Sequence, residues 1–230
     1  FVKTHTFSNL TIAMVLSLLP VTFRIILVAA SCGEVIAACS YEAVAKLRSD
    51  VVKNSLDMKK LEGQWYEQTF HDFAQVGASC QHLWLKTDPE SGSINSNFSV
   101  IYGGGIHFSI QEHYRPPTGA AAGVFRKFVS IPFGIPGGSL FGFPSAIVDV
   151  VEGEGGYEAL IVYSCLPGVQ VLEISTRAQA VSESIVEELI HRAFSLGINL
   201  PKSSLRRVRQ SQCEAGFSHR EALKLPWIRL

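Results

Sequence analysis

The strongest constraint on this chain is the cadence of its turns. Short apolar runs are separated by Asp88-Pro-Glu-Ser-Gly-Ser93, Gly103-Gly-Gly105, Pro116-Pro-Thr-Gly119, Gly153-Glu-Gly-Gly156 and Leu166-Pro-Gly168. Gly reaches backbone angles closed to other residues and Pro removes a ladder donor, so each cluster ends a strand and reverses the chain. Eight strand-like runs lie near 63–71, 80–87, 94–102, 106–113, 122–131, 144–151, 157–165 and 169–177. This spacing predicts an all-β barrel or sandwich. In one run Ile106, Phe108 and Ile110 alternate with His107, Ser109 and Gln111, as expected of a strand with one apolar and one polar face. Eight antiparallel strands with short hairpins can close on themselves and leave an interior for one small ligand.

Composition agrees. Nineteen Gly and ten Pro in 230 residues are too many for a helical bundle, and 47% hydrophobic residues suffice for a core. Twenty basic and twenty acidic residues give zero net charge, which argues against general nucleic-acid binding. The period changes after the last strand. Over 182–197, Ile185, Val186, Leu189, Ile190, Ala193 and Phe194 share one helical face. Ser184 and Glu187 have capping-box spacing, Ser182 is another candidate cap, and Gly197 is a natural stop. This helix is expected to pack its apolar stripe on the outside of the sheet. Leu205 to Arg209 reads as a last, cation-rich edge strand.

Four segments follow: a hydrophobic targeting segment over 1–38, a leader with a turn or two of helix over 39–60, the barrel with its helix over 61–213, and a tail over 214–230. Residues 10–31 are almost wholly apolar and read as a secretory-type signal, with small residues nearby for cleavage. A retained membrane anchor is the alternative, since the stretch is long enough to span a bilayer. Arg24 at its middle is costly there and sets that reading second. Ile36-Ala37-Ala38-Cys39 also has the form of a lipobox, with Glu34 an unusual neighbour for one.

The ordered motifs resemble the lipocalin family, closest to its apolipoprotein D-like and bacterial members. Gly63-Gln64-Trp65-Tyr66-Glu67 looks like the family's first motif. The stretch from Tyr157 to Cys165 is similar to a penultimate-strand segment, and Glu173 to Arg177 followed by the helix looks like the last motif. The resemblance covers residues 61 to 213. It implies an eight-stranded antiparallel up-and-down barrel with one C-terminal helix packed outside. It also implies that the Arg177 guanidinium lies across the Trp65 ring at the closed end, a contact of about 0.5–2 kcal/mol. The family's middle motif, a Thr-Asp-Tyr turn, is not clean here; Asp149 is the nearest candidate. Of five cysteines, four allow three pairings. The resemblance implies Cys39–Cys165 and Cys80–Cys213, leaving Cys32 in the targeting segment. Two disulfides imply a secreted or lumenal oxidising compartment, a plastid or similar lumen included.

No catalytic or metal-ligand constellation stands out. His107 and His113 have no Cys or carboxylate at ligand spacing. His71 and Asp72 lack an accompanying nucleophile motif, and Gly103 to Gly105 is a hairpin, not a phosphate loop. Asn97-Phe98-Ser99 has the form of a glycosylation sequon within a strand. The segment 131–144 is apolar yet rich in Gly and Pro. It fits either a wide hairpin folded on the barrel or a mouth loop. In the second case Phe133, Leu140, Phe141 and Phe143 would touch a ligand, a membrane surface or a protein partner.

The expected function is binding and transport or storage of one small hydrophobic ligand, such as a lipid, sterol or carotenoid. No cofactor or metal is expected. Strand alternation nominates Leu83, Leu85, Phe98, Phe108, Ile110, Phe128, Ile147 and Tyr163 as lining residues, with Phe141 at the mouth. A one-residue shift of register would turn any of the strand residues to the outer face. Two alternatives stand beside this reading. The spacing of Trp65 to Cys80-Gln81 is similar to that in the lipocalin domain of violaxanthin de-epoxidase, an enzyme. Protonating an epoxide needs a carboxylic acid inside the barrel. The inward positions identified from alternation carry none, and the Cys-rich region flanking that enzyme's barrel has no counterpart here. The other alternative is a structural subunit held in a larger complex through the 131–144 loop.

Overall fold

The computed structural model describes residues 39–103, 105–130, 142–166, 168–208, 210 and 213. Residues 1–38, expected to be a targeting segment and including Cys32, lie outside the described residues, as do Phe133, Leu140, Phe141 and the tail over 214–230. No helix among the described residues is long and apolar enough to cross a membrane.

Two short helices, α1 (Tyr41–Lys46) and α2 (Asp50–Ser55), precede a 3-10 turn at Met58–Leu61. Ser40 and Ser49 cap α1 and α2 by accepting from Ala43 N and Val52 N. Eight strands follow: β1 (Gly63–His71), β2 (Ser79–Asp88), β3 (Ser93–Tyr102), β4 (Ile106–Arg115), β5 (Val124–Ser130), β6 (Phe143–Gly153), β7 (Gly156–Leu166) and β8 (Val169–Thr176). Each overlaps the run predicted for it. Helix α3 (Glu183–Ser195) and a two-residue strand, β9 (Arg206–Arg207), complete the order.

Every neighbouring pair from β2 to β8 is antiparallel, β8 pairs with β1, and β1 returns to β2, so the sheet closes. The closure is split. β1 pairs with β2 only over Gly63 to Tyr66; beyond a bulge between Glu67 and Thr69, its free edge takes β9 instead. Where β1 and β2 diverge, the Gln210 side chain donates from Nε2 to both Glu67 O (2.9 Å) and Gln81 O (2.6 Å). The Cys80–Cys213 disulfide fixes the same seam, and Cys39–Cys165 ties the start of α1 to β7. Both pairings implied by the resemblance are thus formed.

Two apolar clusters lie on the two faces of the wall. The inner one holds Trp65, Leu85, Phe125, Ile147 and Leu160, plugged from below by Val52 of α2 and Leu61. The outer one packs Val186, Leu189, Ile190 and Ala193 of α3 against Val148, Ile161, Tyr163, Leu172 and Ile174. Helix α3 begins after Ser182 with no side-chain cap bond, so the capping box at Ser184 does not form; Ser182 and Ser184 pair with each other instead. Ile185, expected on the apolar stripe, is 44% exposed. Gly197 ends the helix at φ +95°, a conformation costly for any residue with a Cβ. Asp149 is not in a turn. It sits in β6 beside a bulge and pairs with Arg192 of α3 at 2.7 Å, so it anchors the external helix.

Candidate functional site

The barrel interior is stratified, and alternation along the strands builds each layer. At the base, Trp65 is fully buried and Arg177 lies 3.8 Å from its ring centroid. Arg177 also donates to Gln64 O and Lys60 O (2.8 Å each) and to Tyr157 O (3.2 Å). Burial lowers Arg177 to about 10, which still leaves it charged at neutral pH. Gly63 makes room for it: φ is +103°, and a Cβ there would sit 3.2 Å from the Arg177 guanidinium. The base is closed and packed. Leu83, Leu85 and Ile147 point inward as expected, but together with Ile94 and Leu160 they leave a void of only about 20 Å³. That is room for about one water, not for a ligand.

The middle layer is charged, which the sequence reading missed. Glu67, Glu112, Lys127 and Glu173 all face inward. Lys127 Nζ stands 2.8 Å from Glu112 Oε1 and 3.5 Å from Glu173 Oε1. Tyr114 donates its hydroxyl to Glu112 Oε2 at 2.9 Å, and its ring faces the Lys127 ammonium at 5.1 Å. Burial pushes Glu67 well above the usual carboxyl range, and Glu173 adds to that push. Glu173 is raised to about 7, chiefly by burial, with Lys127 pulling the other way. Burial alone would lower Lys127, but Glu112, Glu173 and Tyr114 together hold it well above its ordinary value. The expectation that the interior holds no acid is therefore overturned. Each charged residue sits two positions from an inward apolar or aromatic one: Glu67 from Trp65, Glu112 from Ile110, Lys127 from Phe125. Continuing the alternation through charged letters would have found them.

Above this layer the lining is apolar again. Phe98 faces Leu83 and Ile110 across the ladder, and Val100 faces Phe108. Phe108, Ile110, Val129 and Phe143 point inward and remain partly accessible to solvent. From Glu112 up to Phe108 is four residues, roughly 14 Å of depth at strand rise. The β1–β2 loop folds over this mouth: Tyr102 donates to Ala74 O at 2.8 Å, and Gln75 reaches in to Glu67 Oε1 at 3.4 Å. Phe73 and Val76 of that loop, and Ile106 at the neighbouring turn, are exposed.

Two nominated lining residues face the other way. Tyr163 pairs with Ala146 and Leu172 and packs in the outer cluster under α3. Phe128 lies outside between the guanidinium groups of Arg126 (5.0 Å) and Arg115 (5.8 Å), because Phe125, Lys127 and Val129 take the inward positions of β5. Choosing the aromatic residue over the adjacent lysine inverted the face. Phe98, Phe108 and Ile110 stand in the upper apolar layer, and Phe141 lies outside the described residues.

No family profile and no curated protein matches the sequence. Solved structures do. Apocrustacyanin C1 superposes with a TM-score of 0.54 at 12% identity, covering 74% of this chain and 87% of that one. Lobster apocrustacyanin A1 gives 0.50 at 13% identity with the same coverage. At such identities the likeness speaks to fold alone. Together with the closed eight-stranded barrel and the helix outside it, it establishes the lipocalin fold.

Proposed function

We propose that the barrel binds one small, largely apolar ligand, with its body in the upper layer and its polar end toward the charged layer. The observation that carries this reading is the stratification itself. A partly accessible apolar layer, the proposed chamber, stands on a buried ionic floor, over a base too tightly packed to admit anything larger than water. Burial of apolar surface supplies the affinity and the few polar groups set orientation. Carriage or storage of a lipid, sterol or carotenoid fits the chamber, and two disulfides fit an oxidising compartment reached through the hydrophobic leader. Exposed Phe73, Val76 and Ile106 at the mouth suit ligand exchange with a membrane or another protein, alongside the apolar 131–144 segment.

Native purification followed by mass spectrometry of the organic extract tests this. The expected result is one stoichiometric hydrophobic compound per chain. An extract empty of any such compound, from protein that also takes up no added apolar probe, would sink the proposal.

One observation favours a second reading, an acid-dependent enzyme of the de-epoxidase kind. Glu67 and Glu173 are carboxyls that hold their protons to unusually high pH inside an apolar barrel, the property a general acid needs. Conversion of an added epoxy-xanthophyll below neutral pH, abolished in Glu173→Gln or Glu67→Gln, is the outcome that would promote this reading over carriage.

A further inference from the structure

The seam between β1 and β2 holds polar groups that the fold itself does not use. Glu67 and Gln81 are fully buried and Gln75 is 3% exposed. Gln210 joins the backbones of Glu67 and Gln81 through a single amide nitrogen, and the Tyr66–His82 pairing sets the two residues opposite each other across one gap. Gln75 reaches Glu67 Oε1 from the loop above at 3.4 Å. Among the described residues Glu67 Oε2, Gln75 Oε1 and both Oε1 and Nε2 of Gln81 find no hydrogen-bond partner. Each such group left unpaired costs about 1–3 kcal/mol, so four on three buried side chains flanking one seam point to an occupant that satisfies them.

We propose that Glu67, Gln75 and Gln81 form a subsite that takes the hydroxyl group of an uncharged amphiphile and rejects a carboxylate. The inference rests on the ligand-binding reading above and names the class of ligand. A hydroxyl both donates and accepts, and the subsite offers both complements: amide oxygens on Gln75 and Gln81, and the amide nitrogen of Gln81. A carboxylate brings acceptors only, so the oxygens of Gln75 and Gln81 would stay unpaired. It also meets the wrong field. A buried charge needs a counter-ion, and the ammonium of Lys127 is already engaged by Glu112 at 2.8 Å and faces Glu173 at 3.5 Å. Alcohols of ring or isoprenoid type, sterols among them, meet these terms, whereas free fatty acids do not.

A pair of probes with one hydrocarbon and two head groups tests this: all-trans-retinol and retinoate, titrated into the delipidated full chain at about pH 8, where the acid is ionised. Retinol is expected to bind at least about tenfold more tightly, a difference of about 1.4 kcal/mol. Gln81→Leu keeps the volume and removes two unpaired atoms. It should fold at least as stably as the parent, lose about tenfold in retinol affinity and leave retinoate unchanged. Equal affinities for the two probes, a preference for retinoate, or an unchanged ratio in Gln81→Leu would each overturn the subsite while leaving the carrier standing. Failure of both probes to bind, with an empty native extract, would overturn carrier and subsite together.

Discussion

At the scale of single residues, the middle layer makes stability depend on pH in an unusual direction. Most carboxyls in folded proteins titrate low, and acid removes their contribution. Glu67 and Glu173 do the opposite. Their folded values lie above the ordinary 4.5, Glu173 at about 7, so between those limits the folded chain holds protons that the unfolded chain has released. Stability from these groups is complete below about pH 4.5 and is lost as pH rises through the folded values. For Glu173 the interval corresponds to on the order of 3 kcal/mol. Lowered carboxyls such as Asp88 and Glu62 act against this only in stronger acid. Thermal melting between pH 8 and pH 5 should therefore show the midpoint rising by several degrees on acidification. Glu173→Gln should flatten much of that slope. A midpoint that falls steadily over the same range would show that the buried carboxyls are ionised in the folded state.

At the scale of elements, the base plug depends on Arg177 holding three carbonyls that belong to three different segments. Lys60 lies in the 3-10 turn, Gln64 in β1 and Tyr157 in β7, and the Trp65 ring takes the face of the same guanidinium. Arg177→Ala removes four contacts and strands partly buried carbonyls, for an expected cost of about 2–4 kcal/mol in chemical denaturation. Arg177→Lys should recover less than half of this, because one ammonium cannot reproduce a planar fork of donors. Full recovery with Lys would mean that charge alone matters at the base. This plug was expected only through the family resemblance that Gly63, Trp65 and Arg177 carry, whereas eight strands and a helix were legible because turn chemistry and periodicity are local signals. The faces were legible only in part. Register shifts at Glu67/Thr69 and Ile147/Asp149 break the alternation, and β5 puts Lys127 inside and Phe128 outside. Ion pairs with β4 and β8 hold Lys127 inside, where the alternation continued from Phe125 would have placed it.

At the scale of the whole molecule, the two disulfides close loops of similar length, 126 and 133 residues apart in sequence, yet they sit in different mechanical positions. Chain entropy predicts nearly equal stabilisation, about 2–5 kcal/mol each. Function separates them. Cys39–Cys165 fastens α1 to a wall that is already paired on both sides by β6 and β8. Cys80–Cys213 holds Gln210 at a place where strand pairing between β1 and β2 does not close the wall, beside the proposed polar subsite. Replacing Cys80 and Cys213 by Ser should therefore loosen the seam as well as lower the denaturation midpoint. Amide exchange at Val208, which donates to Gln68 O, should accelerate, and a bound ligand should dissociate several-fold faster. Replacing Cys39 and Cys165 should lower the midpoint by a similar amount with little change in ligand dissociation. If both pairs change dissociation equally, the seam is no more a gate than the rest of the wall. Its hydrogen bonds would then be structural, and the ligand would enter and leave through the mouth alone.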